Sequence, residues 1–151
     1  MELFDLAVPH GTSERRWNRA AGGCKERIKA RRMFYSLESL APQDVCAGYR
    51  ARIYHGDEIT FAVLEVEPNA PLPSHSHRNE QVGLLVRGEL TFNVGDEHRT
   101  VRAGEGWVIP ANAPHDATAG PQGAIVIETW APPRHDFREL AQLAPCQPTW
   151  P

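Results

Sequence analysis

From Tyr49 to Trp130 the chain runs through short β-branched and aromatic stretches with no helix-length apolar stripe between them, and this limits the possible fold more than any other feature. The stretches are YRARIYH (Tyr49 to His55), ITFAVLEV (Ile59 to Val66), VGLLVRG (Val82 to Gly88), LTFNV (Leu90 to Val94), HRTVR (His98 to Arg102), GWVIP (Gly106 to Pro110) and AIVIETW (Ala124 to Trp130). Valine, isoleucine, threonine and the aromatics suit a pleated, half-buried surface, and several stretches alternate as a strand with one buried face must. The separators HGDE, EPNAPLP, NVGDEH, PANAPH and TAGPQG are turn chemistry, with Gly95-Asp96 the expected tight hairpin. Evenly spaced strands without crossover helices predict an all-β antiparallel sandwich or barrel. After Trp130 the segment APPR ends the sheet, HDFRELAQL suffices for a helical turn or two, and a proline-containing tail follows.

A chain of 151 residues suits one domain that buries roughly two thirds of its unfolded surface. With 41% hydrophobic and 23% charged residues, the composition argues against both a disordered chain and a coiled coil. No apolar run reaches the ~18 residues of a membrane span, and the first residues lack a secretory pattern, so a cytoplasmic protein without membrane partners is expected. Cys24, Cys46 and Cys146 are far apart and form no C-x-x-C pair, which argues against a disulfide framework or a cysteine zinc site. Charge divides the chain: residues 1–32 hold eight Lys/Arg against four acids, the remainder eight against fifteen. We therefore divide it into a basic N-terminal extension, 1–32, and a single domain, 33–151. The extension has Gly22-Gly23 at its middle and no sustained apolar stripe; a short helix from about Cys24 to Met33 is the most it suggests. Without a recognisable DNA-binding motif it reads as a solvated arm or packing segment, not a nucleic-acid contact.

The residues with chemistry to offer begin at PSHSHRNEQ. On an extended backbone His75 and His77 leave the same face and converge on one point, which is how a strand presents two metal ligands. A third donor is Glu80 or Gln81; continued extension puts Gln81 on the histidines' face, and an intervening turn reverses that parity. His115, in GEGWVIPANAPHD, supplies a fourth donor from another strand. His10, His55, His98 and His135 have no such neighbours in sequence and read as surface or structural residues, while Trp107, Trp130, Phe61 and Phe92 read as core or pocket wall.

Together the two stretches resemble the paired motifs of the cupins, G-x5-H-x-H-x3,4-E-x6-G and G-x5-P-x-G-x2-H-x3-N. The first is matched by His75, His77, Gln81 and Gly88, with Gln81 where glutamate usually stands and Asn69 for the leading glycine. The second is matched by Gly104, Pro110 and His115, with Asn112 for its glycine and Ala119 for its asparagine. The motifs lie within residues 69–119. The resemblance implies a cupin jelly-roll barrel holding one divalent transition metal ion, Zn, Ni, Mn or Fe, on His75, His77, Gln81 and His115. Three imidazoles and one amide leave the ion's charge uncompensated and suit it to Lewis-acid work on a carbonyl.

The ending IETWAPPRHDF, Ile127 to Phe137, is similar to that of the small cupins of the pectin-degradation type, which open a 4,5-unsaturated uronate to its linear keto form. Those proteins also carry H-x-H-x2-E-Q, as His75, His77, Glu80 and Gln81 do here. The resemblance puts Glu128 in the place of the acid/base aspartate, Trp130 in that of a substrate-pocket phenylalanine, and Arg134 in that of the arginine that meets a substrate carboxylate. It implies a metal-dependent isomerase or ring-opening enzyme for a sugar-derived or other carbonyl substrate, expected to be carboxylated, working as a homodimer. A metal dioxygenase and a non-catalytic ligand-sensing module are the alternatives that the same fold allows.

Overall fold

The computed structural model describes residues 34–150, so the basic extension and its candidate helix lie outside the described residues. Eight strands follow in order: β1 (Gln43–Cys46), β2 (Tyr49–His55), β3 (Thr60–Val66), β4 (Pro71–His75), β5 (Glu80–Val94), β6 (Glu97–Arg102), β7 (Gly106–Ile109) and β8 (His115–Ala131). Short 3-10 turns stand at Leu37–Ser39 and His135–Glu139. All pairings are antiparallel, in the order β1-β2-β3-β8-β5-β6, with β4 added on β8 and β7 on β5. Among the described residues no helix is long and apolar enough to cross a membrane.

The two long strands make this a jelly roll. The first half of β8 pairs with β4 and with the end of β5, and its second half pairs with β3 and with the start of β5. VGLLVRG and LTFNV, read from sequence as two strands, are one strand of 15 residues bent in the middle. The bend coincides with register shifts at Leu85/Arg87 and Gly88/Leu90. Gly88 sits there at φ 84°, where a side chain is strained and a Cβ would collide with the Gly123 carbonyl. Folding the sheet over at this bend lets both halves bury their inner faces in one core.

That core is laid down in rows across the ladder. Ala51, Leu64, Val126 and Leu85 are successive register partners on β2, β3, β8 and β5, and all four are buried. Leu85 is wholly buried, a burial worth about 1.5–3 kcal/mol for such a side chain. The two asparagines that replace motif glycines, Asn69 (φ 57°) and Asn112 (φ 64°), are the only non-glycine residues of positive φ among those described. Asparagine tolerates that left-handed conformation better than most residues, so the turns survive both substitutions.

On the outer face, Arg52 and Glu65 form a buried ion pair at 2.6 Å. The C-terminal segment closes over it: Arg52 Nη2 donates to the Cys146 carbonyl (2.7 Å) and the Thr149 amide to Glu65 Oε1 (3.1 Å). The same segment flanks β1 through Asp44 N–H to Ala141 O and Leu143 N–H to Pro42 O. Elsewhere on the outer surface Val82, Leu84 and Val108 are exposed, Val82 and Val108 being register partners.

Candidate metal centre

His75 and His115 face each other across the β4–β8 ladder, their rings 4.2 Å apart. His77, two residues beyond His75, brings its ring to 5.0 Å from that of His115. One donor nitrogen from each of the three lies within 4.8 Å of the others. Every Nδ1 is within 2.9 Å of a backbone carbonyl: Pro73 for His75, Asn79 for His77, Ala113 for His115. A carbonyl only accepts, so each Nδ1 carries the proton and each Nε2 presents a lone pair. Burial lowers the pKa of His77 and of His115 and keeps these imidazoles neutral.

Gln81 completes the set. It is buried and Glu80, beside it, is exposed. Its Oε1 accepts from Trp130 Nε1 (2.9 Å) and its Nε2 donates to Glu128 Oε1 (2.5 Å), which turns the amide oxygen toward the histidines. Oε1 then lies 3.0 Å from His77 Nε2, so that two lone pairs oppose each other. That separation is close to the roughly 3.0–3.4 Å expected between neighbouring donors on a metal with bonds of ~2.1 Å. His115 Nε2 is buried with no hydrogen-bond partner among the described residues. A cation would satisfy both, so the residues present fit a divalent metal ion.

Glu128 occupies the adjacent row of the ladder, where Ile53, Ala62, Glu128, Gly83 and Trp107 are successive register partners. Small neighbours on either side leave the carboxyl room. A Cβ at Gly83 would collide with the Trp107 ring, so the glycine lets that indole lie across the strand and donate to Glu128 Oε1 at 3.2 Å. Burial pushes the Glu128 carboxyl up to about 7, against the opposing pull of the Gln81 and Trp107 donors and the Arg134 charge. Both donors meet Oε1 and not Oε2.

Trp130 is buried, edge-on to Phe137, with its N–H committed to Gln81. Arg134 follows the strand end; its backbone N–H donates to Thr60 Oγ1, and its guanidinium lies 4.0 Å over the Phe137 ring. The guanidinium already grips a carboxylate, with Nε 3.0 Å from Asp136 Oδ1 and Nη2 2.7 Å from Oδ2. Glu128, Trp130, Arg134 and Asp136 line one cavity of about 350 Å³ together with His75, Gln81 and His115. Sequence reasoning missed three contributors. Trp107 holds Glu128, Asp136 holds Arg134, and buried Asn79 takes the His77 Nδ1 proton on its carbonyl while its side chain donates to the Pro132 carbonyl. None of these contacts leaves a periodicity in the sequence. His98, by contrast, is exposed and bonded to Asn93, away from the cluster.

Residues 62–130 match the family model of the cupin domain. With the jelly roll and the histidine cluster described above, the match shows a cupin-type domain within the chain. Among solved structures, an RmlC-like cupin from Shewanella frigidimarina is 28% identical with a TM-score of 0.66, the match covering 71% of this chain and 96% of that one. KdgF from Halomonas sp. is 26% identical with a TM-score of 0.60, over 64% of this chain and 89% of its own, in keeping with the pectin-degradation resemblance of residues 127–137. H2HPP isomerase of Bacillus subtilis is 42% identical over 53 residues, 34% of this chain and 22% of that protein.

Proposed function

We propose that the protein is a metal-dependent small-molecule enzyme that isomerises or ring-opens a carboxylated carbonyl compound by moving a proton within it. The observation that carries this reading is Glu128: a buried carboxyl raised to about 7, bonded to Gln81, whose other end faces the three histidines. A group titrating near neutrality both takes and gives a proton efficiently. His75, His77, His115 and Gln81 would hold Zn, Ni, Mn or Fe, and the bound ion would supply Lewis acidity to a carbonyl oxygen.

The chain's own residues do the rest. Glu128 Oε2 takes the proton from the carbon next to the carbonyl in an isomerisation, or from the hemiacetal hydroxyl in a ring opening, where the ring C–O bond breaks as the carbonyl forms. It returns the proton to another atom of the same molecule, so protons balance and no oxidant enters. Arg134 supplies positive charge for the substrate carboxylate at the cavity wall, meeting it with the Nη1 edge that Asp136 leaves. Trp130 and Phe137 screen the proton path from water. Similarity to an isomerase over 53 residues supports the reaction class. The proposal includes a homodimer, supported by the exposed apolar patch of Val82, Leu84 and Val108.

The test is Glu128→Gln, which keeps shape and removes the base. Metal content should stay at the wild-type value, while turnover of an unsaturated uronate or a 2-oxo acid falls by roughly two to four powers of ten. Wild-type turnover in a metal-loaded Glu128→Gln protein would dismiss proton transfer by this residue.

A further inference from the structure

The cavity at the metal centre has a lining that discriminates between kinds of substrate. Resting on the proposed function, we infer that the substrate is an acid with an apolar, carbocyclic or aromatic body, and not a polyhydroxylated sugar acid. Among the described residues no Ser, Thr, Asn or Lys side chain lines the cavity, and much of its wall is Val45, Leu64, Leu72, Phe92, Val126 and Leu140.

Most of the hydrogen-bond donors that line it are already committed. The Gln81 amide N–H goes to Glu128, the Trp130 N–H to Gln81, and the Arg134 Nε and Nη2 to Asp136. The Tyr49 hydroxyl is directed to the Ala70 carbonyl at 3.5 Å. Each ring hydroxyl of a uronate must exchange its water for a protein partner, and one that finds none lowers affinity. The uncommitted capacity is the guanidinium's remaining edge, Glu128 Oε2 and the face of the histidine cluster. That suffices for one carboxylate and one carbonyl, and leaves the ring hydroxyls of a sugar against aliphatic side chains. A hydrocarbon ring has no such requirement and gains by leaving water, so the same walls attract it.

The experiment titrates the full-length, zinc-loaded protein with phenylpyruvate and with D-galacturonate, two monoanions that differ in the body attached to the acid, and measures metal content in the same samples. Phenylpyruvate should bind at least tenfold more tightly. Leu72→Phe, which adds bulk to the apolar wall of the cavity, should weaken phenylpyruvate at least fivefold and leave metal content unchanged. Equal or tighter binding of galacturonate, no binding of phenylpyruvate, or indifference to Leu72→Phe in a metal-loaded protein would overturn the substrate class while the metal reading stands. A protein that retains no zinc removes the proposed function and this inference with it.

Discussion

Gln81 Nε2 donates to Glu128 Oε1 across 2.5 Å, so one amide joins the histidine cluster to the buried carboxyl. An amide has one oxygen and one nitrogen, and only the oxygen suits a cation. Which end faces the histidines is decided by two outside contacts: the Trp130 N–H, which needs an acceptor, and the Glu128 carboxylate, which needs a donor. The candidate metal centre and the proposed proton carrier are therefore oriented by the same three side chains.

Trp130→Phe keeps the ring and removes the N–H, freeing the amide to turn over. Metal affinity, read by titration with Co(II), should fall about 10- to 100-fold, the usual cost of losing a contact that orients a ligand. In a Gln81→Glu background, where either carboxylate oxygen can bind, the same change should matter little. Equal losses in both backgrounds would make Trp130 a packing residue only.

His77→Ala and His115→Ala should strip the metal and lower the melting temperature, and His98→Ala should do neither. A ligand present at 100 times its Kd stabilises by about 2.7 kcal/mol, so chelation should lower wild-type stability by a similar amount and leave the two stripped variants unmoved. Metal content measured by mass spectrometry across the three proteins decides the matter.

For the adjacent pair, Gln81→Ala should weaken metal binding far more than Glu80→Ala, because Gln81 is buried beside His77 and Glu80 is exposed. The reverse order, measured by the same titration, would assign the ligand to Glu80.

Outside the site, Arg52→Ala should destabilise the fold by about 3–5 kcal/mol by stranding the Glu65 carboxylate without its partner. Replacing both, as Arg52→Met with Glu65→Leu, should cost much less. Urea denaturation of the single and double variants distinguishes the two outcomes.

The strands with conventional chemistry were legible from residues alone. YRARIYH is β2 at the expected bounds, and Gly95-Asp96 is the turn between β5 and β6. Three others were not. PLPSH holds two prolines, which count against a strand, yet β4 pairs only with β8, and an edge accepts residues that lack an N–H. QDVC is polar and pairs as β1 on one side of β2. TAGPQG reads as a turn, yet it runs within β8: Thr118 has partners on both sides, in Pro71 and Thr91, and residues 120–123, without a register partner among the described residues, carry the strand on to Ala124. Within the site, the alternation of His75 and His77 announces convergence, whereas the reach of Trp107 to Glu128 depends on a cross-strand register that no local pattern encodes.

Leu64 lines the cavity beside the histidines and its neighbour Glu65 receives the Thr149 amide on the opposite face of β3, so a wall one backbone thick separates the two. The far end of the chain thus presses on the back of the chamber in which chemistry is proposed to occur. A cargo domain or affinity handle joined after Thr149 would pull on that wall, and its effect would be felt first as an altered fit for the bulkiest guests.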